Sequence, residues 1–429
     1  MSKCKHFFLL IGFLGPLLSI GSFGQGADLK KADQLFKTRA YAKAVPLYEA
    51  SLRSRFRVST AQKLASCYRL TNAWTQAEAL LDSLVQQDRV REDMWFLYGE
   101  ALMSNGKYDQ AREWFLKYAA AQPGDTLALI RADACLIVGN IPPYFPNVRY
   151  DRLPFNSEED DHAAIPWGTG LLFTSDRPPG LHLLKEKSQW TGRDYLALFE
   201  TYPLTDSTWS EPRRYSGRIN EININVGYAI LSADSSTLYF TRNTVEPNKR
   251  GVYPLQIYTC QREGSEGWSR PRPVSFANPE TNMMHPALRV DGQKMIYASD
   301  RSGGPGGLDL WMVEWSGSDW GRPERLDETI NTPGHEGFPW FAPDGRLFFA
   351  SKGHPGYGGY DLFVTQQDSS GKWTPPLNLG RPLNSPLDDI TFFLDASGQS
   401  GYFSSTREGE DDDLYYWYQD TLPGKEEEE

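Results

Sequence analysis

The sequence predicts an α+β multidomain chain: an N-terminal α-solenoid of three helix pairs plus a capping helix, followed by a five-bladed β-propeller. Three observations predict it. An aromatic recurs at Tyr41, Trp74 and Tyr108, spaced 33 and 34 residues, within helical patterning. Five strand-like cores then end alike, with aromatics at Phe173, Phe240, Tyr297, Phe349 and Phe403 spaced 67, 57, 52 and 54 residues. Finally, Asn156-Ser157 ahead of the first core matches Asn384-Ser385 ahead of the last, as in a ring whose two chain ends meet in one blade.

At the N-terminus, Lys3 and Lys5 precede an apolar run from Phe7 to Ile20, followed by Ser22-Phe23-Gly24-Gln25. Positive start, short apolar middle and small residues predict a secretory signal over residues 1–24, with Gly26 as the second cleavage choice. A retained anchor is the alternative, although the run is short for a spanning helix. Cys4 lies before the apolar run, so lipidation is not expected, and the expected location is the periplasm. Cys67, Cys135 and Cys260 have no paired spacing and form neither a disulfide framework nor a metal knuckle. Cys67 and Cys135 fall on apolar helix faces as core residues, and a single bridge between them stays open.

Composition excludes whole classes. With 13 Trp, 22 Tyr and 22 Phe the chain is not disordered. The formal net charge of -11 is concentrated at one end, because residues 408–429 hold ten acidic residues and one basic residue. That acidity describes a blade loop, Glu408–Asp413, and an acidic tail over 421–429. Nucleic acid is not an expected partner: export is expected, and the Arg53/Arg55/Arg57 group is too small for a basic patch.

From residue 25 to 140 the helical frames Arg39-Ala40-Tyr41, Asn72-Ala73-Trp74 and Gly106-Lys107-Tyr108 each place an Ala three residues after the aromatic, at Ala44, Ala77 and Ala111. Tyr48, Leu81 and Phe115 follow four residues later. Turn residue, aromatic wedge and small crossing residue resemble the tetratricopeptide repeat family. The first two copies depart from it at the turn, with Arg39 and Asn72 in place of Gly. The residues 126–138, with Leu127, Ile130, Cys135 and Leu136, read as the helix covering the last apolar face. The resemblance implies a concave face that binds an extended or helical peptide; a rigid spacer is the other reading.

Gly139 to Pro146 breaks the helical pattern, and the propeller is expected over 141–420. Trp209, Trp268, Trp320 and Trp373 each open a Trp-x-x-Pro stretch after a strand core. Asn156, Asn278, Asn331 and Asn384 stand 13 residues before a turn position, and Asn220 stands 14 before Asp234. Units of about 53 residues with four short strands are propeller blades. Five blades are expected, with six as the alternative count. The blades resemble the WD40-like repeats of TolB-type propellers. Together with the helical repeats they resemble periplasmic proteins of Bacteroidetes-type envelopes. One of these, a type IX secretion component, adds an OmpA-like domain that no part of this sequence is expected to supply.

Strand order puts the Asn links and the long loops on one face, where binding residues concentrate. A basic residue ends the second strand of every copy: Arg177, Arg242, Arg301, Lys352 and Arg407. Asp160, Asp161, Glu336, Asp388 and Asp389 sit in neighbouring links. These charges form either a structural girdle or a ring for an anionic ligand. With Tyr41, Trp74 and Tyr108 of the helices, Arg177, Arg301, Lys352, Arg407 and the loop aromatics Tyr357 and Tyr360 are the candidate partner-binding residues.

Catalysis has weaker support. A propeller glycosidase needs opposed carboxylates over its channel, for which Asp161, Glu336 and Asp389 are available, but they recur with the repeat. His162, His285 and His335 lie near inner strands at differing offsets, and read as satisfied imidazoles sooner than as metal ligands. No nucleophile elbow or phosphate loop occurs, and Gly303 to Gly307 is a turn. No cofactor or metal is expected. The expected function is a non-enzymatic periplasmic scaffold binding envelope proteins through the helical groove and the loop-rich propeller face, in a secretion or gliding-type envelope complex, with a glycan-binding or glycan-cleaving propeller as the alternative.

Overall fold

The computed structural model describes residues 22–178, 187–188, 191–205, 207–264, 267–409 and 411–420, with side chains from residue 28 onward. Residues 1–21, which hold most of the expected signal, and the expected tail at 421–429 lie outside them. Among the described residues no helix is long and apolar enough to cross a membrane.

Seven α-helices open the chain: α1 (Ser22–Lys37), α2 (Tyr41–Ser54), α3 (Val58–Leu70), α4 (Trp74–Leu84), α5 (Asp93–Ser104), α6 (Tyr108–Ala121) and α7 (Leu127–Ile137). The aromatic of each repeat is the first residue of its second helix, and a left-handed residue stands two positions earlier. Arg39, Asn72 and Gly106 take φ values of 61°, 55° and 74°, so the turn keeps its shape even where Gly is replaced. Ala44, Ala77 and Ala111 are completely buried, which lets the paired helices cross closely. At Gly99 the approach is tightest: a Cβ there would lie 2.6 Å from the Phe115 ring. Tyrosine hydroxyls tie successive helices together, Tyr48 donating to Asp33 at 2.9 Å, Tyr68 to Glu49 at 2.8 Å and Tyr98 to Asp82 at 2.8 Å.

The capping helix differs in detail from expectation. It buries Ala128, Ala132 and Cys135, whereas Leu136 is 56% exposed. Small residues bring α7 close to α6, and Leu136 falls on the far side of the helix. Cys67 and Cys135 are buried and unbridged, and burial pushes their thiols up to about 12 and about 11.

The propeller has five sheets among the described residues. Blade 1 runs Asp161–Trp167, Gly170–Ser175, Ala197–Thr201 and Arg213–Arg214, from centre to rim. Blade 2 runs Val226–Leu231, Thr237–Asn243, Leu255–Glu263 and Arg272–Pro273; blade 3, Met283–Leu288, Lys294–Ser299, Asp309–Glu314 and Glu324–Arg325. Blade 4 runs Glu336–Phe341, Leu347–Ser351, Asp361–Thr365 and Leu377–Asn378. Blade 5 has Asp389–Leu394, Ser400–Ser405 and Asp413–Gln419, and Val148–Arg152 from the start of the domain completes it, pairing Val148 with Gln419 and Arg152 with Tyr415. The ring therefore closes as the Asn156-Ser157 match predicts, with Val148–Arg152 covering the outer edge of Asp413–Gln419.

The five aromatics that mark the repeat, Phe173, Phe240, Tyr297, Phe349 and Phe403, are at most 1% exposed. The spaced asparagines have a shared purpose. Asn156, Asn220 and Asn331 each bond both the N–H and the C=O of one third-strand leucine: Leu414, Leu198 and Leu310. Asn384 does the same to Leu362. The Asn278 copy is inverted, with the Gln256 side chain bonding the backbone of Asn278 instead.

The helical array lies against the loop-bearing face of the propeller. Arg131 of α7 donates to the carbonyl of Gly358 at 2.6 Å, and Tyr108 stands beside Arg381 and Asp361. A Cβ on Gly192 would meet that of Ala42 at 3.4 Å. The connecting segment is fixed as well: Phe145 packs against Trp417 at 4.9 Å between ring centroids.

Candidate functional site

Four of the five strand-end cations are engaged. Arg177 pairs with Asp161 at 2.6 Å and also donates to the carbonyl of Phe155, while Arg407 pairs with Asp389 at 2.7 Å and donates to the carbonyls of Pro382 and Leu383. Arg242 pairs with Glu221 at 3.0 Å and Lys352 with Asp388 at 2.9 Å. Arg301 makes no ion pair among the described residues; its guanidinium lies over the Trp311 ring at 5.4 Å. In blades 1, 2 and 5 these bonds tie the Asn link to the end of the second strand, while Lys352 of blade 4 reaches the link of blade 5; charge-assisted geometry of this kind fixes loops firmly.

Asp161, Glu336 and Asp389 begin the inner strands of blades 1, 4 and 5, and all three are completely buried. Asp161 accepts from the Ser157 amide and hydroxyl. Glu336 accepts from the Thr332 amide and hydroxyl and from Ser351. Asp389 accepts from the Ser385 amide and Arg407. Burial pushes Glu336 up to about 7 and raises Asp389.

Rings from three of the inner strands meet at the channel. Tyr228, His285 and Phe338 take left-handed φ values of 48°, 57° and 51° at bulges in the inner strands, as does Ala163 at 57°. The bulges turn the side chains of Tyr228, His285 and Phe338 toward one another, and the His285 ring stacks on Phe338 at 3.8 Å. Each displaced amide finds a partner on the neighbouring blade: Tyr228 N–H donates to the Thr174 hydroxyl, His285 N–H to Thr241 and Ala163 N–H to Ser404. Blade 3 has Ala298 at the corresponding place, and Phe338 N–H donates to His285 Nδ1 instead. Burial lowers His162 and drives His285 down to about 3. His335 stands apart from them. Among the described residues no group of His, Cys, Asp or Glu is arranged to hold a metal ion.

Of the two loop aromatics expected at the surface, Tyr357 is buried and Tyr360 is half-buried. Tyr357 is 1% exposed, beneath the Arg381 guanidinium, and Tyr360 packs against Phe338 under Lys352. Glycines explain it. A Cβ on Gly358 would lie 1.9 Å from the Pro386 carbonyl, so the glycine loop folds flat on its neighbour and carries both rings inward. The amides of Tyr357 and Gly358 then bond Asp361 Oδ2.

Between the array and the propeller runs a cleft with two chambers, which share Leu70 and Asn72. One, of about 380 Å³, is lined by Arg69, Trp74, Glu100, Arg131, His335 and Lys352, among others. The other, of about 550 Å³, lies between Tyr68 and Gln76 of the array and the group around Arg193. Arg193 contacts Asp411 and pairs with Asp160 at 2.5 Å and Asp176 at 3.1 Å. Burial and the neighbouring Asp160 push Asp176 up to about 7. Of the candidate residues, this cleft brings together Trp74, Lys352 and Tyr360. Tyr41 lies farther along the array, packed on Phe36. Sequence reasoning missed Arg131 and Arg193, since each occurs once and belongs to no repeat. On the opposite face, a funnel of about 460 Å³ is lined by apolar residues of all five inner strands, including Ile165, Leu231, Leu288, Trp340 and Phe393.

A tetratricopeptide repeat family model matches residues 68–126. No curated protein matches the chain. Among solved structures, an α-L-arabinofuranosidase from Lactobacillus brevis is 11% identical, covering 59% of this chain and 85% of its own, with a TM-score of 0.38. An exo-β-1,3-galactanase from Clostridium thermocellum is 13% identical over 63% of this chain and 62% of its own, with a TM-score of 0.39. A TPR-containing domain from Plasmodium falciparum is 17% identical over 26% of this chain and 85% of its own, with a TM-score of 0.24. At such values these likenesses speak to neither activity nor substrate.

Proposed function

We propose that the protein is a non-enzymatic scaffold of the cell envelope, exported to the periplasm, that grips a segment of a partner protein between its helical array and its propeller. The observation that carries this reading is the two-chambered cleft, whose walls come from both units. Tetratricopeptide arrays offer side chains along a groove, and here the propeller closes the groove from the other side. A secretion or gliding-type envelope machine is the setting that the resemblance of the repeats favours. Since the array covers the loop-bearing face, a second partner would dock at the apolar funnel opposite.

The glycan-cleaving alternative needs two reachable carboxylates. The burial of Asp161, Glu336 and Asp389, each with its oxygens already bonded, favours the scaffold. A photo-crosslinking residue placed at Asn72, which lines both chambers, tests the reading in intact cells. Capture of a defined protein there is the expected result. No capture at Asn72, together with glycan turnover that is lost in Asp161→Asn, Glu336→Gln or Asp389→Asn, would overturn it.

A further inference from the structure

We propose that the chamber around Arg131 is a binding site for the carboxylate group of a small molecule or of a chain end, held by the Arg131 guanidinium. The proposal rests on the cleft reading above and adds the chemistry of what enters.

Arg131 projects from α7, is 3% exposed and lines the smaller chamber. One nitrogen, Nη1, donates to the Gly358 carbonyl at 2.6 Å, while the buried Nε has no hydrogen-bond partner. No carboxylate stands within ion-pair distance of it among the described residues. A guanidinium keeps its charge in proteins, and a buried charge without a counter-ion is costly.

The other charges of the chamber wall are already balanced. Arg69 faces Glu100 at 3.7 Å, and Lys352 faces Asp388 at 2.9 Å. Asp361 lies close enough to feel Arg131 but makes no ion pair with it, and burial and Asp389 raise its carboxyl. Arg131 is therefore left without a counter-ion in contact. That balance, and the presence of Glu100 in the wall, select a monoanion over a dianionic phosphate. The planar fork of arginine matches a carboxylate in two parallel bonds.

A second donor is at hand. His335 Nδ1 accepts from the Leu308 amide at 3.1 Å, so its proton sits on Nε2. Trp74, Met103 and Tyr360 form the rest of the wall and suit the uncharged body of a ligand. Two sources offer such a carboxylate: a peptide C-terminus and a sugar acid.

Calorimetric titration of the full chain distinguishes them, using triglycine against triglycinamide and glucuronate against glucose. One carboxylate is expected to bind while its neutral counterpart does not, and the arm that binds names the source. Arg131→Gln should weaken that binding about tenfold or more. Arg131→Lys, which keeps the charge and loses the fork, should fall between. If neither carboxylate binds better than its neutral counterpart, the proposal fails; this comparison uses the wild-type protein and does not depend on a variant folding. Equal binding by wild type and a folded Arg131→Gln also overturns it. Capture at Asn72 alongside such a failure would leave the scaffold standing and remove the carboxylate site alone.

Discussion

Arg39 occupies a left-handed turn position where the third repeat has Gly106, with φ values of 61° and 74°. A side chain in that conformation costs about 1 kcal/mol relative to glycine. Arg39→Gly should therefore stabilise the array by about that amount in urea denaturation, and Asn72→Gly by less, since Asn tolerates the conformation better. Asp361 gives a pH-dependent counterpart. Its carboxyl is pushed up to about 8, so the folded chain holds a proton that the unfolded chain has lost above the ordinary range near 3.8. Stability must then fall as pH rises toward about 8. In Asp361→Asn the amide nitrogen can replace Oδ1, which has no partner, while the acceptor of the Tyr357 and Gly358 amides is retained. The melting temperature of Asp361→Asn relative to wild type is expected to climb between about pH 5 and pH 8. An unchanged difference across that range would contradict it. The turn residues were legible in the sequence because the repeat sets three of them side by side. The inward rotation of Tyr357 and Tyr360 was not, because it depends on glycines fitting against the backbone of another blade.

Within an element, the asparagine clamp decides how a link holds its blade. Asn331 is 1% exposed and makes three bonds, to both backbone groups of Leu310 and to the Leu326 carbonyl. Removing them leaves buried groups unsatisfied, so Asn331→Ala should cost about 2–4 kcal/mol in denaturant unfolding. Asn278→Ala should cost under about 1 kcal/mol, because its side chain accepts only from the nearby Glu280 amide while Gln256 holds the link. Equal losses would show that the two positions are not inverted. The spacing of the asparagines was readable in the sequence, and so was the blade closure by Val148–Arg152. Which partner does the clamping was hidden, since Gln256 lies on a different strand and has no counterpart in other copies. The strand-end cations were likewise visible as a set, and their meaning came from the carboxylates and carbonyls that the fold brings to them.

At the scale of the whole molecule, the array and propeller are tied by bonds that no repeat announces. The Arg131–Gly358 contact joins residues 227 apart, and it involves one helix and one loop of their kinds. Periodicity reveals the two architectures separately and is silent on how they meet; the meeting surface is built from the irregular residues of each. The cleft, the scaffold reading and the carboxylate site all depend on that arrangement. Cysteines at Ala42 and Gly192 test it most directly. A Cβ at Gly192 would lie 3.4 Å from that of Ala42, close to the spacing of a disulfide, and Cys67, Cys135 and Cys260 are buried and free. In the double variant Ala42→Cys/Gly192→Cys, mild oxidation and peptide mass mapping should find a bridge joining α2 to the propeller loop. A folded double variant whose two introduced thiols stay reduced, or pair only between molecules, would contradict the arrangement.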